Sequence, residues 1–124
     1  MEMRVGGRAY PGVTAIVQNG SPFTYFNDRP IEIADGAGLD SGRLACAILR
    51  RATPLSVPSI AWRALSRHAR VTRQRQVSGV QGITELTVST TDDRPLPLQV
   101  DGDYLGDFAE ARYSILPRCL NVVA

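Results

Sequence analysis

Leu96-Pro97-Leu98-Gln99-Val100-Asp101-Gly102-Asp103-Tyr104-Leu105-Gly106-Asp107 is a strand-like run that passes into an acidic cluster. Asp-Gly between two strands is the commonest signal of a two-residue hairpin turn. Carboxylates at i and i+2 also share a side where the backbone stays extended, and the glycine between them lets another backbone or a ligand come close. Such a pair can take a proton or hold a magnesium ion. On spacing alone both readings stand.

Outward from this stretch, turn residues punctuate further β-type runs at 12–19, 30–34, 43–50, 71–78, 82–90 and 111–123, the last interrupted by Pro117. With 96–100 they make seven expected strands and a mainly β chain. Arg73 and Arg75 fall on one face of 71–78, and Leu86 and Val88 continue a half-buried pattern after Ser78–Gly82, so 71–90 is expected to fold as an antiparallel hairpin. The exception to the β pattern is 58–70. Pro58 suits a first helical turn, and Ala61, Leu65 and His68 align opposite Arg63, Arg67 and Arg70, which predicts one amphipathic helix with a basic face. On that helix Trp62 is expected as a packing anchor. His68, with no second histidine or Cys-x-x-Cys near it, is expected to be structural.

The 124 residues suit one domain, and 44% hydrophobic against 21% charged residues is a globular balance. The longest wholly apolar run, Leu44 to Leu49, is far short of the roughly 20 residues that a membrane-spanning helix needs. The start, Met1 to Gly7, lacks the apolar stretch of a secretory signal, so a cytoplasmic location is expected. Cys46 and Cys119 sit far apart within apolar runs, where small hydrophobic roles and no disulfide are expected.

All fourteen basic residues are arginine, which excludes a catalytic lysine, a Schiff base and a P-loop lysine. Between Ser41 and Thr84 there are eight arginines (43, 50, 51, 63, 67, 70, 73, 75) and no acid. The rest of the chain sets six arginines against twelve acids, a net −6. Such segregation gives one anion-attracting side, suited to phosphate-bearing ligands, an anionic membrane surface, nucleic acid or an acidic partner.

Three landmarks occur in order along the chain. Ala15-Ile16-Val17-Gln18-Asn19 is an apolar strand ending in asparagine; the segment Pro30 to Leu44 contains Asp35-Gly36-Ala37-Gly38-Leu39; and Pro95-Leu96-Pro97-Leu98-Gln99-Val100-Asp101-Gly102-Asp103 is followed by Ile115-Leu116-Pro117 and the closing Leu120-Asn121-Val122-Val123. From Val13 onward the chain resembles the carboxy-terminal domain of the diacylglycerol kinase catalytic family, the lipid kinases that also include the sphingosine kinases and bacterial relatives. The resemblance implies an antiparallel β-sandwich, as in the NAD kinase and diacylglycerol kinase-like superfamily, with one amphipathic helix near 58–70.

It also implies a role for the acidic turn. Asp103 stands where the family's Asp-Gly-Glu motif has its glutamate, the proposed proton acceptor from the lipid's primary hydroxyl as that oxygen attacks the γ-phosphorus of ATP. Aspartate keeps the chemistry with a shorter reach. Asp101 matches the motif's first aspartate and would orient the base or join a magnesium–water network. A metal site that bacterial members carry near the Asp-Gly-Leu stretch falls here on Ser41-Gly42-Arg43, where a serine replaces a carboxylate, so no metal is assigned to it. The family's Gly-Gly-Asp-Gly-Thr nucleotide loop does not occur. The resemblance therefore implies a substrate-side domain that needs ATP, Mg2+ and a nucleotide-binding domain or subunit, with a lipid as substrate. The chain alone is not expected to be a competent kinase. A non-catalytic basic β module for nucleic acid or anionic lipid headgroups is the rival, with nucleic acid the less expected partner.

Overall fold

In a computed structural model the described residues are 1–20, 24–26, 29–31, 38, 41–53, 58, 62 and 75–119. They form eleven strands: β1 (Glu2–Val5), β2 (Arg8–Pro11), β3 (Thr14–Gln18), β4 (Thr24–Phe26), β5 (Arg29–Ile31), β6 (Leu44–Leu49), β7 (Val77–Ile83), β8 (Glu85–Ser89), β9 (Leu96–Val100), β10 (Asp103–Phe108) and β11 (Glu110–Ser114). All pairings are antiparallel. A four-stranded sheet runs β11-β8-β1-β2, a three-stranded sheet runs β3-β6-β7, and β9-β10 and β4-β5 are two-stranded ribbons.

Strand chemistry decides position. The continuous apolar run Leu44-Ala45-Cys46-Ala47-Ile48-Leu49 becomes β6, the central strand of its sheet, buried from Leu44 to Ile48; a run without polar alternation belongs where both faces are covered. β8 alternates, and Leu86 and Val88 turn inward between β11 and β1. Met3 of β1, Cys46 and Ile48 of β6, and Leu86 and Val88 of β8 then meet in one core, so the two larger sheets share an apolar interior. Within it the Cys46 thiol donates to Met3 Sδ at 3.0 Å, and burial pushes that thiol up to about 12.

The chain passes between these sheets at two places. At Gly12 the β1–β2 ladder ends, the Met1 amine and the Gly12 amide each donating to the other's carbonyl at 3.1 and 3.0 Å, and the Val13 amide then reaches Leu49 O at 2.8 Å. A Cβ on Gly12 would lie 2.5 Å from Ile48 Cγ1, so only glycine lets the chain pass this close over β6. At Thr84 the chain returns, its carbonyl accepting from the Ile115 amide at 3.0 Å.

This return corrects the hairpin expected over 71–90. β7 pairs along its length with β6, whereas β8 pairs with β1 and β11. Ser78–Gly82, which has the composition of a turn, is strand, and Gly82 takes a φ of 72° near the register shift at Leu44/Ala45. The strand expected over 111–123 closes at Ser114. The helix expected over 58–70 lies outside the described residues except for Pro58 and Trp62, as does His68. Trp62 is 74% exposed, which corrects its expected role as a packing anchor. Cys119 is exposed rather than apolar filler, and both cysteines are free. Among the described residues no helix is long and apolar enough to cross a membrane.

Candidate functional site

The β9–β10 ribbon carries the acidic stretch. Leu96–Val100 extends as β9, and Asp101 and Gly102 then take φ of 51° and 94°, the pair of positive values that a type I′ turn requires. Aspartate tolerates the left-handed region better than most residues, and glycine enters it freely. Asp103 opens β10 directly opposite Val100.

The turn settles how the carboxylates are arranged. An extended backbone through 101–103, the condition for a shared side, is not present: Asp101 is a turn residue and Asp103 a strand residue. Both are exposed, and among the described residues neither carboxylate makes a hydrogen bond or ion pair.

Cross-strand partners share a face, so the register sorts the ribbon into two sides. Asp103 lies with Val100, Leu98, Leu96 and Phe108; Leu96 packs against the core, and Val100 and Phe108 are 46% and 41% exposed. Asp103 thus sits at the outer end of an apolar strip whose inner end joins the interior. The other side carries Gln99, Pro97, Tyr104 and Asp107. Leu105, 55% exposed, is the extra residue of a bulge between Tyr104 and Gly106. Gly106 takes a φ of 125°, and after it Asp107 faces the same side as Tyr104, whose hydroxyl donates to Asp107 Oδ1 at 2.7 Å. That hydrogen bond to a carboxylate holds the tyrosine hydroxyl above its ordinary range.

The sequence brought three aspartates together; the fold separates them into a turn tip, an apolar side and a tyrosine-bonded side. The Tyr104–Asp107 pair was missed because two residues three apart in a regular strand point opposite ways, and Gly106 within the strand pattern was its one signal. The segment before β9 is held by local bonds. Asp92 Oδ2 accepts from Arg94 Nε and Nη2 at 2.9 and 2.6 Å, and Thr90 Oγ1 donates to Asp92 Oδ1 at 3.0 Å, which lowers the Asp92 carboxyl below its usual range.

Ser41, to which no metal was assigned above, has its hydroxyl engaged in a turn: Oγ accepts from the Gly38 and Arg43 amides at 3.3 and 3.2 Å and donates to Gly38 O at 2.7 Å. Among the described residues no three His, Cys, Asp or Glu side chains are grouped to hold a metal ion. The donor set at 101–103 does not by itself make a magnesium cage, which takes six oxygens in near-octahedral order.

Comparison with protein-family models, with curated proteins and with solved structures finds no match to this chain.

Proposed function

We propose that this chain is the lipid-side half of an ATP-dependent lipid kinase, acting on diacylglycerol or a similar long-chain alcohol together with a nucleotide-binding half. The observation that carries this is the placement of Asp103: an unpartnered, exposed carboxylate at the end of the apolar strip Val100, Leu98 and Phe108. An amphiphilic alcohol has the same division, with a hydroxyl at the end of a hydrocarbon. On this reading the two larger sheets are the layers of the family's sandwich and the β9–β10 tip faces the nucleotide-binding half.

The chemistry asked of the chain is modest. Phosphoryl transfer runs through a loose transition state in which catalysis is mainly positioning and charge stabilisation. Asp103 would hold the lipid hydroxyl by a hydrogen bond and take its proton as the oxygen bonds to the γ-phosphorus and the bond to ADP breaks. Asp101, in the turn, would fix the direction from which that hydroxyl arrives. Closure by the partner half would exclude water from a carboxylate that is otherwise solvated. The order of the three sequence landmarks supports the same reading.

The test is reconstitution. Combined with the nucleotide-binding half of a related kinase, the chain should support lipid phosphorylation, and Asp103→Asn should lower turnover by about a hundredfold or more with an unchanged β-sheet spectrum. Wild-type turnover in that variant removes Asp103 from the mechanism, and a wild-type reconstitution that remains inactive overturns the proposal.

A further inference from the structure

β11 is an outer strand of the four-stranded sheet, and among the described residues it pairs with β8 alone. Its register is unbroken from Glu110 opposite Ser89 to Ser114 opposite Glu85. Beyond its two ends the Thr90 amide donates to Ala109 O at 2.9 Å and the Ile115 amide to Thr84 O at 3.0 Å. Every second residue of an antiparallel ladder bonds to the neighbouring strand, so Ala109, Ala111, Tyr113 and Ile115 face β8. The backbone groups of Glu110, Arg112 and Ser114 therefore point out of the sheet, and among the described residues no strand takes them. The side chains of these three are exposed, whereas Tyr113 packs against the core. Arg112 uses Nη2 to hold Glu85 Oε2 at 2.8 Å, and among the described residues the Glu110 carboxylate makes no ion pair.

We infer that this edge pairs with the same edge of a second copy of the chain, antiparallel about a two-fold axis at Ala111. An unpaired edge is a template for another strand. Charged side chains usually blunt such an edge, but here they select a register. Only residues whose backbone groups point outward can form the hydrogen-bonded pairs, so the axis must bring 110, 112 and 114 together. An axis at Glu110 or at Arg112 sets like charges face to face, and one at Tyr113 sets Arg112 against Ser114 with no ion pair gained. An axis at Ala111 sets Glu110 opposite Arg112, and symmetry supplies that pair twice. Opposite charges directly across a ladder stabilise it, and like charges do the reverse. Of the other strands with an unpaired side among the described residues, β2 and β5 carry arginine alone, β10 carries aspartate alone, and β3, β4, β7 and β9 carry no charge. Self-complementary charge thus singles out β11. No residue of the acidic turn at 101–103 takes part, so the inference stands apart from the kinase reading.

Sedimentation of the full chain at rising concentration, up to about 1 mM, reads the association. A reversible dimer is expected. Hydrogen exchange at the Glu110 and Arg112 amides should slow as concentration rises, while Ala111 and Tyr113, bonded to β8 in either state, exchange as before. Glu110→Arg and Arg112→Glu should each weaken the dimer by about tenfold or more, since attraction across both pairs turns to repulsion. Mixed in equal amounts, these two variants should associate with each other, because each then meets the opposite charge at both positions. Glu110→Pro removes an outward amide that β8 does not use and should prevent pairing with an unchanged β-sheet spectrum. Exchange in the unaltered chain reads the same edge should a variant fail to fold. A monomer at every concentration, a dimer that leaves the two amides unprotected, growth beyond the dimer, or single variants that associate as the unaltered chain does would each overturn the inference.

Discussion

Tyr104 and Asp107 stand three residues apart on one strand and yet face the same way, the tyrosine hydroxyl donating to Asp107 Oδ1 at 2.7 Å. A regular strand would point them to opposite sides. The extra residue, Leu105, and the positive φ of Gly106 reset the alternation between them. Bulges on an exposed ribbon also blunt its open edge against pairing with other chains.

The bulge makes Gly106 a conformational requirement. An added Cβ meets Phe108 Cε2 at an ordinary 3.5 Å, so space is available, but a φ of 125° is strained for any side chain. Gly106→Ala is expected to destabilise the protein by about 1–3 kcal/mol in denaturant unfolding. It should also bring the Tyr104 hydroxyl back towards its ordinary pKa as the hydrogen bond to Asp107 opens. Unaltered stability with an unaltered tyrosine titration would contradict the bulge.

Asp107→Asn tests the same pair through pH. The folded-state pKa of Tyr104 is raised, so the interaction contributes fully below the ordinary tyrosine pKa and is lost as pH rises through the folded value. Removing the carboxylate should make one of the four tyrosines ionise at lower pH, read from phenolate absorbance.

Gly12 carries a heavier steric penalty. Its Cβ would fall 2.5 Å from Ile48 Cγ1, 2.8 Å from Ile48 Cδ1 and 2.8 Å from Leu49 O. Gly12→Ala is expected to cost about 1–3 kcal/mol, the usual range for overpacking. Adding Ile48→Val should recover only part of the loss, because the carbonyl contact stays; full recovery would place the strain in the side chain alone.

The two thiols should behave oppositely. Cys119 is exposed and is expected to react with an aromatic disulfide reagent in the folded protein, whereas Cys46 should react only after unfolding. With the buried thiol raised from 9.0 to about 12, its neutral form is favoured in the fold. Its contribution is therefore complete below pH 9 and is lost as pH climbs from there towards 12. Two fast-reacting thiols at neutral pH would disprove the burial of Cys46.

Asp101 can be separated from Asp103. Asp101→Asn keeps a residue at home in a type I′ turn and should leave stability within about 0.5 kcal/mol, whereas Asp101→Val places a branched side chain at positive φ and should cost about 1–2 kcal/mol. In a reconstituted enzyme Asp101→Asn then reports on charge alone. A destabilised Asn variant would show that the carboxylate supports the turn.

Local patterns made some of this legible. Leu96–Val100 was bounded correctly because a strand-like run meets a turn dipeptide, and the strand expected over 43–50 is found as Leu44–Leu49, its central place in the sheet set by pairing with β3 and β7. β1 and β2 escaped notice although Gly6-Gly7, with φ of 53° and 80°, joins them in a two-residue turn. β10 escaped because its aspartates and Gly106 have little strand propensity, and pairing with β9 overrides them. Ser78–Gly82 misled because its glycines imitate a turn while β6, distant in sequence, pairs across them. At the acidic stretch both the turn and the carboxylates were visible, but how they divide between faces depends on register and a bulge, which residue types alone do not encode.

The antiparallel ladder of β6 and β7, closed by the bond from the Arg50 amide to the Gln76 carbonyl, is a hairpin whose connection is a cationic cassette. Closing a longer bridge costs only logarithmically more chain entropy, so such a cassette can be resized, exchanged or excised with little penalty to its host sheet. A version that joins Leu49 to Val77 through a tight Asn-Gly turn would retain the Met3–Cys46–Ile48 interior while shedding seven positive charges at a stroke.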